Sequence, residues 1–245
     1  MMKTYFNWSS GKDSALALYY LLKDTIYKVD LLVTTVNQDF NRVSMHGLHE
    51  NLLDAQVKSI GLPLKKIYLS GNVSMASYDR TMKAMMQELK KADYHTAAFG
   101  DIFLEDLKTY RENKLKEVGV NAVFPLWKKD TKKIMRQFLA LGFKAITVCV
   151  NAKLLDKKFV GRIIDEAFIN ELPPAVDVCG ENGEFHTFVF DGPIFKYPID
   201  FELGNTVFKR YNTSEKTRST AIKKDKKNTW DNAFWYCDLL LKDKR

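Results

Sequence analysis

The sequence predicts an α/β fold: a parallel five-stranded sheet with helices on both faces, followed by a smaller α+β part. Three observations carry this expectation. Through the first half, β-prone runs alternate with helix-prone stretches, the rhythm of βαβ units. The clearest run, Val29-Asp30-Leu31-Leu32-Val33-Thr34-Thr35-Val36, is almost continuously apolar, as a strand covered on both faces should be. After Pro173-Pro174, residues 185–190, 200–211 and 233–241 read as strands without long helices between them, which suits antiparallel sheet. The division is placed near Trp127, giving a first part at 1–127 and a second part at 128–245. At 245 residues and 46% hydrophobic, the chain can bury real cores in both.

In order, Thr4-Tyr5-Phe6 is the first strand and Ala15 to Leu22 the first helix. The run at 29–36 is the second strand. Residues 37–47 are polar and loop-like, and 49–59 form a helix ended by Gly61 and Pro63. Leu64 to Leu69 give a third strand. Met75, Tyr78, Met82, Met85, Met86 and Leu89 fall on one helical stripe, assigned to core rather than to a binding face. Thr96 to Phe99 form the fourth strand, ending at Gly100-Asp101. A helix over about 104–117 leads to the fifth strand, Asn121 to Phe124, stopped by Pro125. A further helix at 131–141 and strand at 143–150 open the second part.

Ligands of open parallel sheets bind beyond the carboxyl ends of the strands. Three such ends carry small or polar residues: Ser9-Ser10-Gly11-Lys12-Asp13-Ser14, Thr34-Thr35 and Gly100-Asp101. One crevice lined by all three would take phosphates at the first and adenosine near the others. The first end joins strand to helix. Unpaired N–H groups at a helix N-terminus favour an anion, and Lys12 adds a full charge. The Walker pattern fails, because Phe6 stands where its first Gly belongs and Asp13 follows Lys12. With one glycine nearby, the dinucleotide pattern fails too. Capping of the helix by Asp13 or Ser14, with no ligand, is the competing reading.

The hexapeptide resembles Ser-Gly-Gly-x-Asp-Ser, the pyrophosphate loop (PP-loop) of the ATP pyrophosphatases, which cleave ATP to AMP and pyrophosphate. Ser10 replaces the first Gly of that pattern. If the position needs positive φ, a non-glycine residue there costs about 1 kcal/mol, which a phosphate contact from the hydroxyl would partly offset.

A second unusual stretch is Val178-Cys179-Gly180-Glu181-Asn182-Gly183-Glu184-Phe185-His186-Thr187. Two carboxylates, an amide, an imidazole and a hydroxyl gather around two glycines. Strand alternation would put Glu184, His186 and Phe188 on one face. An ordinary hairpin with exposed charges is the plain reading. The run from Cys179 to Thr187, followed by Asp191-Gly192-Pro193, resembles the signature of the diphthine–ammonia ligase group of ATP pyrophosphatases. Gly100-Asp101-Ile102, Pro125-Leu126-Trp127 and residues 156–162 resemble it as well. The likeness covers essentially the whole chain.

The resemblance implies a HUP-like (adenine nucleotide alpha hydrolase-like) sheet and a ligase reaction. ATP would adenylate the carboxylate of diphthine, a modified histidine on elongation factor 2, and ammonium would supply the amide nitrogen. It implies Mg²⁺ on the phosphates, with Asp13 or Asp101 as ligands. Ser9, Ser10, Gly11, Lys12, Asp13, Ser14, Thr34, Gly100 and Asp101 would bind ATP. Glu181, Asn182, Glu184 and His186 would act on the acceptor and ammonia. Two alternatives stay open: the same chemistry on a small carboxylate or a tRNA base, and an adenine-nucleotide-binding module without chemistry.

Composition narrows the partners. The net charge is +8, and from Asn205 onward eleven Lys and Arg face five Asp and Glu. The basic run Lys223-Lys224-Asp225-Lys226-Lys227 reads as a solvated loop rather than a nucleic-acid site. Cys149, Cys179 and Cys237 form neither a metal motif nor a disulfide framework. With neither a leader nor a membrane span in the pattern, a cytoplasmic protein is expected. Self-association into a homo-oligomer is left open.

Overall fold

The computed structural model describes residues 1–43, 47–211 and 232–242. The run at 223–227 lies outside them. In chain order, β1 (Met2–Asn7) feeds α1 (Lys12–Leu22), then β2 (Tyr27–Asn37), β3 (Arg42–Val43), α2 (Glu50–Ile60), β4 (Leu64–Leu69), α3 (Met75–Lys91), β5 (Thr96–Ala98), α4 (Glu105–Lys116) and β6 (Asn121–Val123). The second part holds α5 (Thr131–Ala140), β7 (Lys144–Asn151), α6 (Glu166–Glu171), β8 (Phe185–Asp191), β9 (Phe201–Tyr211) and β10 (Asn232–Leu241).

The five expected strands form a parallel array in the order β4-β2-β1-β5-β6. The first sheet is nevertheless mixed, because β3 pairs antiparallel with the end of β2 through Val36↔Val43 and Asn37↔Arg42. That short strand falls in the stretch expected to be loop. Asn41 turns the chain with φ of 50°, a conformation Asn tolerates better than most residues. The second sheet is antiparallel, ordered β8-β7-β10-β9.

Three helices start at a side-chain cap. Side chains of Ser74, Asp130 and Asp165 accept from the backbone N–H of Ser77, Lys133 and Phe168 at the starts of α3, α5 and α6. Gly61 ends α2 in the left-handed conformation. Along β1 the side chains alternate. Phe6 joins the core beneath α1 and α2, while Tyr5 joins Met85, Met86 and Leu89 of α3 on the other face. The stripe on α3 is therefore only partly core. Met75 is exposed, and Tyr78 and Met82 are half-buried and face the cavity described below.

The core under α1 runs on without a break into the second sheet, through Phe138, Val148, Phe188 and Val189. Polar ties cross the same junction. Gln56, fully buried in α2, accepts from Trp8 Nε1 at 3.2 Å and donates to Ser10 O at 3.1 Å and Val189 O at 2.5 Å. Val189 N also donates to Ser10 O at 3.0 Å. The loop after β1 is thus clamped between α2 and β8. No helix among the described residues is long and apolar enough to cross a membrane.

Candidate active site

The clamp forces the loop into an unusual shape. Ser10 takes φ of 72°, so the left-handed residue is the serine, while Gly11 is ordinary extended backbone at φ −92° and ψ 171°. The Ser10 hydroxyl is fully buried, has no hydrogen-bond partner among the described residues and does not line the cavity. The expected offset through a phosphate contact therefore has no support in the geometry. Ser10 instead turns the chain and offers its carbonyl to Gln56 and Val189.

Hydroxyls organise the rest of the loop. Ser9 N donates to Ser14 Oγ at 3.2 Å, the two serine hydroxyls bond at 2.8 Å, and Gly11 N donates to Ser9 Oγ at 3.4 Å. Lys12 N donates to Thr187 Oγ1, 175 residues away, at 3.0 Å. A hydroxyl that accepts an N–H keeps its own O–H to donate, so this web can present donors to an anion. Gly100 packs directly on the loop. A Cβ there would lie 2.9 Å from Ser14 N and 3.0 Å from Asp13 C.

Around the loop lies a cavity of about 870 Å³. Ser9, Gly11, Lys12, Asp13 and Ser14 line it from the first strand end, Thr34 and Thr35 from the second, Gly100 and Asp101 from the third. The three ends expected to share a crevice do share one. Glu181, Asn182, His186 and Thr187 complete the wall from the second part.

Glu184 is placed differently. Its carboxylate is buried and accepts from Asp177 N at 3.0 Å, Asn182 N at 2.8 Å and Asn182 Nδ2 at 3.0 Å. It does not line the cavity; it holds the turn that presents Glu181 and Asn182. Phe188, expected on the same face as His186, is core.

The charges form opposed pairs. Lys12 Nζ grips both Asp13 oxygens at 2.8 and 2.7 Å. Burial lowers the pKa of Lys12, but the charge of Asp13, the further negative groups around it, Glu181 among them, and the hydrogen bond to Asp13 together outweigh burial and the net shift is upward. Burial pushes the Asp13 carboxyl up against the pull of Lys12. Asp101 Oδ2 lies 3.0 Å from Arg111 Nη1. Burial raises the Asp101 pKa, and Arg111 opposes the rise. Glu181 is pushed up to about 8, chiefly by burial and then by the charge of Asp13. His186 is pushed down to about 4 by burial and by Lys12, so it is neutral at pH 7. Burial drives the Cys179 thiol up, and its Sγ donates to Thr131 O at 3.3 Å. A thiol held protonated by burial is a poor nucleophile, although this one lines the cavity.

Among the described residues, no three His, Cys, Asp or Glu side chains are grouped to hold a metal ion. A Mg²⁺ carried on phosphates needs only one or two carboxylates. Asp13 and Asp101 supply two on the same cavity wall, so the donor set fits that mode. Gln56, Arg111 and Thr187 had not been singled out as site residues from the sequence. Thr187, the hydroxyl of the 178–187 stretch, was the one of them that the sequence pattern marked.

The family model described as the diphthamide synthase N-terminal domain matches residues 2–122, and that of the diphthamide synthase C-terminal domain matches 130–236. Diphthine–ammonia ligase of Mus musculus is 31% identical over 224 residues, which cover 81% of this chain and 82% of that protein. The Rattus norvegicus enzyme is 29% identical with the same coverage. The Schizosaccharomyces pombe enzyme is 25% identical over 78% of this chain, and the match spans only 34% of that longer protein. A solved tRNA thiolase of Methanococcus maripaludis overlaps 58% of each chain at 16% identity and a TM-score of 0.36, a slight likeness. With both halves matched by the paired family models and a relative 31% identical covered over four fifths of its length, the chain belongs to the diphthine–ammonia ligase family.

Proposed function

We propose that the chain uses ATP to adenylate a carboxylate, releasing pyrophosphate, and then passes ammonia to the acyl carbon with loss of AMP. The acceptor we propose is the diphthine side chain of elongation factor 2, after the names of the relatives. The observation that carries the reading is the bond from Lys12 N to Thr187 Oγ1, which joins the phosphate-type loop and the carboxylate-bearing turn in one cavity. We propose 1–127 as the ATP-binding part, 128–245 as the acceptor part and the cytoplasm as the place of action.

In this scheme Ser9, Gly11, Lys12, Ser14 and the first turn of α1 hold the pyrophosphate, and Thr34 and Gly100 border the adenosine. Mg²⁺ held by Asp13 and Asp101 would neutralise phosphate charge during cleavage. Free ammonium is the nitrogen source. Glu181, with a pKa near 8, suits proton exchange with ammonium close to neutral pH. It takes a proton from ammonium, the ammonia attacks the acyl adenylate, the C–O bond to AMP breaks, and the new amide nitrogen sheds its extra proton to solvent. The neutral His186 and Asn182 can each donate a hydrogen bond to the acyl oxygen as charge develops there. Glu184 keeps the turn in shape.

Chromatography of nucleotide products tests this. AMP and pyrophosphate should form, and amide should appear only with ammonium and a diphthine-bearing acceptor present. Release of ADP and phosphate instead would reject adenylation.

A further inference from the structure

Arg111 reaches the cavity from α4, on the face of the sheet opposite α1 and Lys12. Its guanidinium lies 4.4 Å over the Phe99 ring, which itself stacks on Phe124 at 5.3 Å. The side chain is only 28% exposed. Phe99 and Asp101 therefore fix the fork in place. Yet the pair with Asp101 is incomplete. Nη1 is 3.0 Å from Oδ2, but that buried oxygen receives no hydrogen bond among the described residues. The two groups neutralise one another without satisfying one another. Guanidinium presents five donors in a planar fork that suits two oxygens of one phosphoryl group.

Position says which phosphoryl group. Gly100 touches the first turn of α1, so Asp101 and its partner sit beside the loop rather than on it. If the loop takes the pyrophosphate, the next group toward adenosine is the α-phosphate. Cleavage between α and β leaves a polyanionic pyrophosphate at the loop, and AMP departs later carrying its own charge. Each needs a separate cation.

We propose that Arg111 is the α-phosphate-binding residue: its guanidinium leaves Asp101 for the phosphoryl group that stays with adenosine. This rests on the ATP reading given above. Nothing is transferred to or from Arg111, and one ion pair is exchanged for another.

Calorimetric titrations of the full chain without metal, using AMP, pyrophosphate and adenosine separately, test it. Arg111→Met should weaken AMP binding by about tenfold to a hundredfold, with pyrophosphate and adenosine changed by less than about twofold. AMP bound as tightly as by the wild type would overturn the proposal and leave Arg111 an internal strut. Equal losses for AMP and adenosine would overturn it too, because the nucleoside pocket would then be disturbed. Should that variant fail to fold, Asp101→Asn decides. Freed from its partner, Arg111 should bind AMP at least as well as before, and a loss of AMP affinity counts against the proposal. Wild-type protein that binds neither AMP nor ATP, with or without Mg²⁺, would remove the ATP reading itself, a failure visible before any variant is made.

Discussion

Replacing Gly100 with alanine should push the loop after β1 out of place from behind. The added Cβ would lie 2.9 Å from Ser14 N, 3.0 Å from Asp13 C and 3.0 Å from Ser14 Cα. All three are backbone atoms, so no flexible side chain can step aside. Comfortable contact for carbon needs about 3.5–4.0 Å, so roughly half an ångström or more must come from moving β5 or the first turn of α1. Overpacking of that kind costs about 1–3 kcal/mol. The turn that moves carries Lys12, Asp13 and Ser14, and a misplacement approaching 1 Å can cost about a hundredfold in rate. Gly142 supplies the control. Its φ is +80° with nothing within 4 Å of an added Cβ, so alanine there costs about 1 kcal/mol of backbone strain alone. Urea unfolding and ATP titration of both variants measure the two effects. Gly100→Ala should lose stability and ATP affinity together, and Gly142→Ala stability only. If Gly100→Ala binds ATP like the wild type, the loop does not depend on that contact and the argument fails.

Glu184→Gln should cost about 2–3 kcal/mol in urea unfolding, because its buried carboxylate accepts three hydrogen bonds. Glu181→Gln should keep or gain stability while slowing amide formation in single-turnover assays with ammonium varied; a stable but slow Glu184→Gln would return the catalytic role to Glu184. His186 titrates near 4 when folded against its ordinary 6.5, so on acidification the unfolded chain takes up the proton first. The stability it contributes is complete above pH 6.5 and is lost down to about 4, and His186→Asn should show a smaller fall in Tm between pH 7 and 4.5 than the wild type, parallel curves counting against it. Cys149 and Cys179 are buried, with thiols raised by burial, so both should resist alkylation in native protein and react on unfolding, as mass spectrometry would record.

The parallel strands were legible because each is a compact apolar run closed by Gly, Pro or small polar residues. β3 was not, since a two-residue pairing set by the turn at Asn41 leaves no periodic trace. The cavity was legible through its strand ends, where small residues mark backbone that must stay open. Glu184, expected to share a face with His186, is set apart from it for a definite reason. β8 begins at Phe185, so strand alternation does not reach Glu184, which belongs to the turn. Gln56 and Arg111 lay beyond sequence reasoning. The first is a lone polar residue in an amphipathic helix, and the second sits in α4, whose sequence EDLKTYRENKLK is charged throughout. Only the packing shows which charge turns inward.

The clamp on Ser10 and Lys12 has a consequence for how the chain is made. The groups that fix the loop, Thr187 and Val189, lie some 175 residues further along. A ribosome adding about 5–20 residues per second needs roughly 9–35 s to supply them. Through that interval β1, α1 and α2 can fold and Gln56 can reach Ser10 O, but the loop lacks the β8 side of its clamp, Val189 on Ser10 O and Thr187 on the Lys12 N–H. Nascent protein should therefore gain the ability to hold ATP late and abruptly, as β8 emerges and docks, and a chain stalled before Thr187 should carry the motif without the site.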